Sequence, residues 1–437
     1  MPIAPEDPKK QRGRGRRRLV RATLSCGLFT LVIITVAAII VVPRLIDEAP
    51  VDASDLAWVP PEIPAELNAA GALARLSKAG LPEFKEERHW LDWSDALWRG
   101  ELSPFYLEHR ELYEEYWSSI VPILEQVDEL SRLPHLQFEI SSLDADLAPH
   151  VFFLKGLEEP LLARVQLALG RGDDRQGLGH LEDWGLHCAR LSHNRESLLP
   201  ALITIQLVAR FATQVSELVP RTSGRLEPLL EVFSQIRTDR SVVGDTLKIE
   251  SQRFREVFRS PEKFDFPSKG LLSRHLFLPN TTERLYVESI RAFVREVEQT
   301  GKIETLIEVR EPGGWWDSFL YGNALGRAAL RISLPQYVGI APKALVSATT
   351  VRGTELMIAL VIYEEERGQL PEKLEDLVPG ILPALPLDPL DQKPFRYDRD
   401  RRVVWGVGYD GVNDGGRDKP GSRDGADLVI SIPKRGG

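Results

Sequence analysis

Residues 157–193, LEEPLLARVQLALGRGDDRQGLGHLEDWGLHCARLSH, decide the fold class. Leu157, Leu161, Leu162, Val165, Leu167 and Leu169, with Leu154 just upstream, recur at the three- and four-residue spacing that puts side chains on one face of a helix. The run breaks at Gly170–Arg171–Gly172–Asp173. Glycine there can take the left-handed conformation that closes a helix, and Asp173 can cap the next one. Leu178, Leu181, Trp184, Leu186, Cys188 and Leu191 then resume the period. A third apolar run, Leu198 to Val219, stops at Pro220, which has no N–H to donate. This is the pattern of helices packed as hairpins.

The same reading extends outward. Leu67, Ala70, Leu73, Ala74 and Leu76 mark a helix that Gly80–Leu81–Pro82 ends. Tyr106, Leu112, Tyr113, Tyr116, Trp117, Ile120 and Ile123 form a second apolar stripe, of the kind that usually faces a core or a partner helix. Helices are expected through 225–258 and 282–309, separated by a Pro-rich segment at 261–279. The hairpins resemble tetratricopeptide hairpins in general shape, but no 34-residue period repeats. An irregular helical array over residues 65–340 is the expectation. Composition agrees with a globular chain: 43% of the 437 residues are hydrophobic and 27% charged. Two cysteines, Cys26 and Cys188, are too few for a disulfide scaffold or a Cys-rich zinc site.

Charge is unevenly spread. Residues 1–21 hold eight lysines and arginines against Glu6 and Asp7, so this tail contributes +6 to a total of −9 and leaves −15 on the other 416 residues. Between them, Ala22–Val42 is a run of 21 uncharged residues, ATLSCGLFTLVIITVAAIIVV. As a helix at ~1.5 Å per residue it is roughly 31 Å long, enough to cross the ~30 Å hydrocarbon core. A cleavable secretory signal usually has a shorter apolar region of about 7–15 residues and a small-residue exit. The sequence therefore predicts a basic cytoplasmic tail (1–21), one transmembrane helix (22–43) and a Pro/Asp/Ala-rich linker (44–64). By the positive-inside rule, residues 44–437 lie on the extracytoplasmic, periplasmic side of the inner membrane. The basic tail is explained as a topology signal meeting anionic headgroups, so no nucleic-acid partner is expected.

The last ninety residues read differently. Leu345, Ala348, Val351, Leu356, Ala359, Leu360 and Tyr363 form a helical stripe that Gly368 closes. A short helix at 372–378 follows. Pro394–Tyr397 and Val403–Val407 read as strands around the polar turn Asp398–Arg401, and Ala426–Ile432 as a third strand after a Gly/Asp loop. One long helix on a three-stranded antiparallel sheet would bury Leu356, Leu360, Tyr363, Phe395, Tyr397, Trp405 and Ile430.

Five short motifs in this region come in a particular order. They are A-L-x-x-Y-x-x-x-x-G-x-L-P (Ala359, Leu360, Tyr363, Gly368, Leu370, Pro371), L-x-x-L-V-P (Leu374, Leu377, Val378, Pro379) and P-x-D-P (Pro386, Asp388, Pro389). K-P-F-x-Y (Lys393–Tyr397) and G-x-D-G-x-N-D-G-G (Gly408–Gly416) complete the set. Together they resemble the C-terminal head of the major pseudopilins of type II secretion systems, over roughly residues 345–433. Asn323–Arg327 is also similar to a stretch in large membrane-anchored bacterial proteins with this same ending. The resemblance implies a calcium site in the Gly/Asp loop, with Asp410, Asn413, Asp414, Asp418, Asp424 and Asp427 as ligands. Calcium takes six to eight hard oxygens, and aspartates with loop carbonyls supply them. Gly27–Leu28–Phe29–Thr30–Leu31–Val32 lacks the acidic residue of a prepilin cleavage site, and about 300 residues separate anchor from head. Filament assembly by the usual helix stacking is therefore not expected.

Catalytic signatures are missing from the sequence. There is no G-x-S-x-G, H-E-x-x-H or P-loop. His180, His187, Cys188 and His193 do not share one helix face, so they are read as packing and surface residues rather than a zinc site. The fold class expected is mainly α: one N-terminal span, a helical ectodomain, and a pseudopilin-like α+β module at 341–437. The function expected is that of a non-enzymatic, bitopic envelope protein with a protein partner. An accessory role in a type II secretion or pilus-like assembly, and a membrane-tethered hydrolase without a recognisable motif, are the alternatives.

Overall fold

A computed structural model of the chain describes residues 35, 46–59, 61–84, 86–138, 149–194, 197–259, 276–303, 322–417 and 426–434. The expected tail and transmembrane helix thus lie outside the described residues, Thr35 excepted. In chain order the helices are α1 (Ala70–Ala79), α2 (Glu87–Trp98), α3 (Leu102–Glu108), α4 (Arg110–Ser131), α5 (Pro149–Gly156), α6 (Glu158–Gly170) and α7 (Asp174–His193). They continue as α8 (Leu198–Leu218), α9 (Glu227–Gln235), α10 (Ser241–Arg259), α11 (Pro279–Thr300), α12 (Ala324–Val338) and α13 (Ile340–Arg367). Three strands follow: β1 (Arg396–Asp398), β2 (Val403–Gly406) and β3 (Leu428–Ser431). The described chain is mainly helical with one small antiparallel sheet, and it falls into two compact units.

The larger unit comprises residues 53–256, 288–307 and 334–437. At its centre is the hairpin of α6 and α7. Leu161, Leu162, Val165, Leu181 and Trp184 are buried in it. The turn forms as its residues dictate: Gly172 sits at φ +75° and the Asp173 Oδ1 accepts from the Gln176 N–H at 2.9 Å. Helix α8 packs against α7 and α13, burying Phe211, Ala212 and Val215 completely. Leu198–Arg221 and Ala324–Arg367 are both long and apolar enough to cross a bilayer; the most apolar window is 28% buried in the first and 83% buried in the second, so the second is a core helix. Burial against other helices is how a core helix comes to look like a span.

The helices expected through 225–258 are two, α9 and α10. Ile236 turns extended at ψ 123°, and the Asp239 Oδ1 accepts from the Ser241 N–H at 3.0 Å, starting a new helix. A capping aspartate competes with helix continuation because its short side chain satisfies a backbone donor locally. The short helix expected at 372–378 is a single 3₁₀ turn, Leu374–Leu377.

Helix α13 runs for 28 residues and closes at Gly368, whose φ of +77° costs a residue without a Cβ nothing. Its neighbour is the sheet, in the order β1-β2-β3, with Tyr397 opposite Val404 and Val404 opposite Ile430. Period-two alternation places Val404 and Ile430 toward the helix, where they join Phe395, Leu356 and Leu360. Tyr363 and Tyr397 are only half-buried. Trp405 faces the opposite side of the sheet and is covered there by the Gly415–Gly416 turn. The core that holds this module is the same one that holds α6, α7 and α8, so helical array and sheet share a single apolar interior. At the start of this unit Ala53 and Leu56 are buried, Asp55 pairs with Arg291 at 2.6 Å, and the Trp58 carbonyl accepts from Gln252.

The smaller unit comprises residues 1–52, 257–287 and 308–333. Here Asp47 caps α11: its carboxylate accepts from the N–H groups of Asn280 and Thr281, both at 2.9 Å. Glu48 pairs with Arg284. The linker residues described in both units are therefore bonded to folded structure rather than extended through solvent. Asn323, fully buried at φ +54°, accepts through Oδ1 from the Leu278 N–H at 2.9 Å and the Thr282 hydroxyl at 3.0 Å. The Asn323–Arg327 stretch is thus a helix start locked to its neighbours.

Candidate functional site

The Gly/Asp loop follows β2. Its first aspartate, Asp410, is exposed and accepts from the Val412 N–H, a local turn. Asn413 accepts from the Trp405 indole at 3.0 Å and from the Gly415 N–H. Asp427, buried at the start of β3, accepts from the Gly416 N–H at 2.8 Å through Oδ2, while its Oδ1 has no hydrogen-bond partner among the described residues. Asp414 is half-buried. Asp418 and Asp424 lie outside the described residues. Among the described residues no three His, Cys, Asp or Glu side chains converge as a metal would require.

A cation already serves this loop. The Arg401 guanidinium donates to the carbonyls of Gly415, at 2.8 Å, and Gly416, and lies 5.8 Å from the Trp405 ring centroid. Arg401 reaches the loop from the β1–β2 turn, a relation only the sheet creates.

The aspartate of the P-x-D-P motif has a structural role. Asp388 is fully buried. Its Oδ1 accepts from the Thr349 hydroxyl of α13 and the Leu390 N–H, and its Oδ2 from the Val407 N–H and Arg396. Burial raises its pKa against the opposing pull of these donors. A charged group so enclosed is stable only when its lone pairs are met this fully.

The helical histidines are separated. His187 is buried, with Nδ1 3.1 Å from the Ser131 hydroxyl, and burial lowers its pKa to about 4. Ser131 donates to the Val127 carbonyl, and the cavity beside the pair is about 10 Å³. That volume holds no substrate. Cys188, also buried, has its thiol pKa pushed up by burial, the opposite of a reactive cysteine. His193 is exposed and bonds the Gln235 carbonyl.

A cleft of about 770 Å³ in the larger unit opens where α7, the α9–α10 junction, α13 and the 387–392 loop meet. Four arginines line it: Arg190, Arg237, Arg240 and Arg352. Arg237 is engaged by Asp239 and Asp245, and Arg352 by Glu355 at 2.7 Å. Arg240 donates only to carbonyls, those of Pro389, Leu390 and Gln299. Arg190 donates to the Ser131 carbonyl and the Gln235 side-chain oxygen. These positions are scattered over 160 residues, so no sequence window carries the signal. A separate apolar cavity between α8, α10 and α13 is about 50 Å³, well below the ~150 Å³ that holds a benzene-sized ligand.

Comparison of the chain with known protein families, curated proteins and solved structures finds no match.

Proposed function

We propose that the chain is a bitopic, non-enzymatic envelope protein that holds a helical, partner-binding body on the extracytoplasmic face of the inner membrane. The observation that carries this reading is the uncharged Ala22–Val42 run directly behind eight cations. It acts as anchor and topology signal together. The C-terminal module supports the pseudopilin-like part of the reading: a long helix, a closing glycine and a three-stranded sheet occur in the order the five motifs imply. Carbonate extraction combined with protease treatment of spheroplasts tests it. Retention in the membrane pellet, with residues after 44 accessible only from outside, is expected. Release by carbonate overturns the anchor.

Calcium belongs to the same proposal. The unpartnered, buried Asp427 Oδ1 is an oxygen that a cation would satisfy. Asp410, Asn413 and Asp414 lie on the same loop, and Asp418 and Asp424 are the remaining candidate ligands. Because the module shares its core with α8, the test is on the whole chain. Millimolar Ca²⁺ should raise its melting temperature, and Asp427→Ala should abolish that rise. No shift rejects the calcium reading and leaves the anchor untouched.

A further inference from the structure

In the arginine-lined cleft, cations outnumber the carboxylates that meet them among the described residues. We infer that it binds a small polyanion, a phosphate ester or a polycarboxylate, through Arg190 and Arg240.

The charges on its walls can be followed one by one. Asp239 is held by Arg237 and the Ser241 N–H, Asp245 by Arg237, and Glu355 by Arg352. Glu298 lies 3.9 Å from Lys248. Asp391 and Asp388, behind the 387–392 loop, are both bonded to Arg396. Arg190 and Arg240 make no ion pair among the described residues, although both are only partly exposed. A guanidinium has five N–H donors in a planar fork. Arg190 uses two of them, Nε and one on Nη1, which leaves Nη2 open. Arg240 is fixed by three backbone carbonyls, so its charge is positioned but not neutralised.

Burial lowers the pKa of both arginines, and for Arg240 it outweighs the pull of Asp388 and Asp391. Bringing an oxyanion into such a site replaces lost hydration with charge-assisted, bidentate bonds. Two neutral residues of the lining, Thr238 and Gln392, suit the remaining oxygens of a multiply charged ligand. The cleft volume of about 770 Å³ fits a ligand of ordinary metabolite size. The acidic body around it gives selectivity: a compact anion that enters is retained by the arginines, while an extended polyanion such as nucleic acid meets repulsion outside.

The inference is independent of the membrane and calcium readings. The test is isothermal titration of the detergent-purified full chain with inorganic pyrophosphate and, separately, with citrate, in calcium-free buffer. Saturable binding of either probe at micromolar to low millimolar concentration is expected, weakening as salt rises. Pyrophosphate alone would identify a phosphate ligand, citrate alone a carboxylate one. Arg190→Gln should weaken binding at least tenfold. Arg190→Lys, which keeps the charge but loses the fork, should fall between that variant and the native protein. Absence of saturable binding by both probes overturns the inference, as does undiminished affinity in Arg190→Gln. Should Arg190→Gln lower the melting temperature, the Arg190→Lys comparison decides, and native-like affinity there refutes the fork.

Discussion

The Asp388 Oδ2 accepts a hydrogen bond from the Val407 N–H at 2.8 Å, and this contact joins the 386–393 loop to the end of β2. Its other oxygen reaches Thr349 at 3.1 Å and so adds the long helix to the same node. Removing the carboxylate strands two buried backbone N–H groups and the Thr349 hydroxyl, and leaves Arg396 with Asp391 as its carboxylate partner. Asp388→Ala should therefore destabilise the larger unit by about 3–5 kcal/mol. Asp388→Asn, which keeps one acceptor, should cost about half as much. Urea denaturation of the full chain measures both, and equal stability in all three proteins would remove the node.

Helix α13 and β3 touch at Gly353. A Cβ there would lie 2.2 Å from the Ile430 Cδ1, well inside van der Waals contact. Gly353→Ala should destabilise by about 1–3 kcal/mol despite alanine's better helix propensity. Shortening the partner should relieve the overlap, so Gly353→Ala/Ile430→Val should be more stable than Gly353→Ala alone. A double-mutant cycle reads this coupling, and strict additivity would mean the two residues do not meet.

Glu364 is bonded by both terminal nitrogens of Arg402 at 2.7 Å. That bonding, ahead of the opposing effect of burial, holds its pKa below the usual carboxylate value of 4.5. A carboxylate with a depressed folded-state pKa adds stability above its unfolded pKa and loses it as pH falls through the folded value. The native chain should therefore lose more stability than Glu364→Gln as pH falls below about 4.5, read from urea denaturation at stepped pH. Parallel stability profiles for the two proteins would contradict the pairing.

His187 acts in the same direction for a different reason. Burial lowers its pKa from 6.5 to about 4, and His180, less enclosed, is lowered to about 4 as well. The unfolded chain takes up these protons near pH 6.5, the folded chain only near pH 4. Stability is thus complete above pH 6.5 and declines as pH falls toward 4, by on the order of 3 kcal/mol for His187. In His187→Gln that slope should be smaller, as read from melting temperatures at pH 7 and pH 5. An unchanged slope would place the titration elsewhere.

Much of the fold is legible in the sequence because it is written in short-range signals. The turn at Gly172–Asp173, the stop at Gly368 and the two strands flanking Arg399–Arg402 each depend on a few neighbouring residues. The break at Ile236–Asp239 is local too, but an apolar stripe on both sides conceals it. The candidate site is another matter. Arg401 meets the carbonyls of Gly415 and Gly416 only because β1 and β2 turn back on each other, and four arginines from positions 190 to 352 gather only because four elements converge.

The sequence alone determined that the chain is mainly helical with a small C-terminal sheet, where the turn at Gly172–Asp173 and the stop at Gly368 fall, and that an uncharged run behind a basic tail is long enough to span a bilayer. Those properties follow from periodicity, caps and charge, each of which acts within a few residues along the chain. Tertiary structure decided that the C-terminal sheet and the helical hairpins bury one common core, that Asp388 is a structural node, and that Arg190 and Arg240 face a cleft without ion-pair partners among the described residues. Burial and electrostatic environment are properties of neighbours in space, and the chain brings those neighbours together only when it folds.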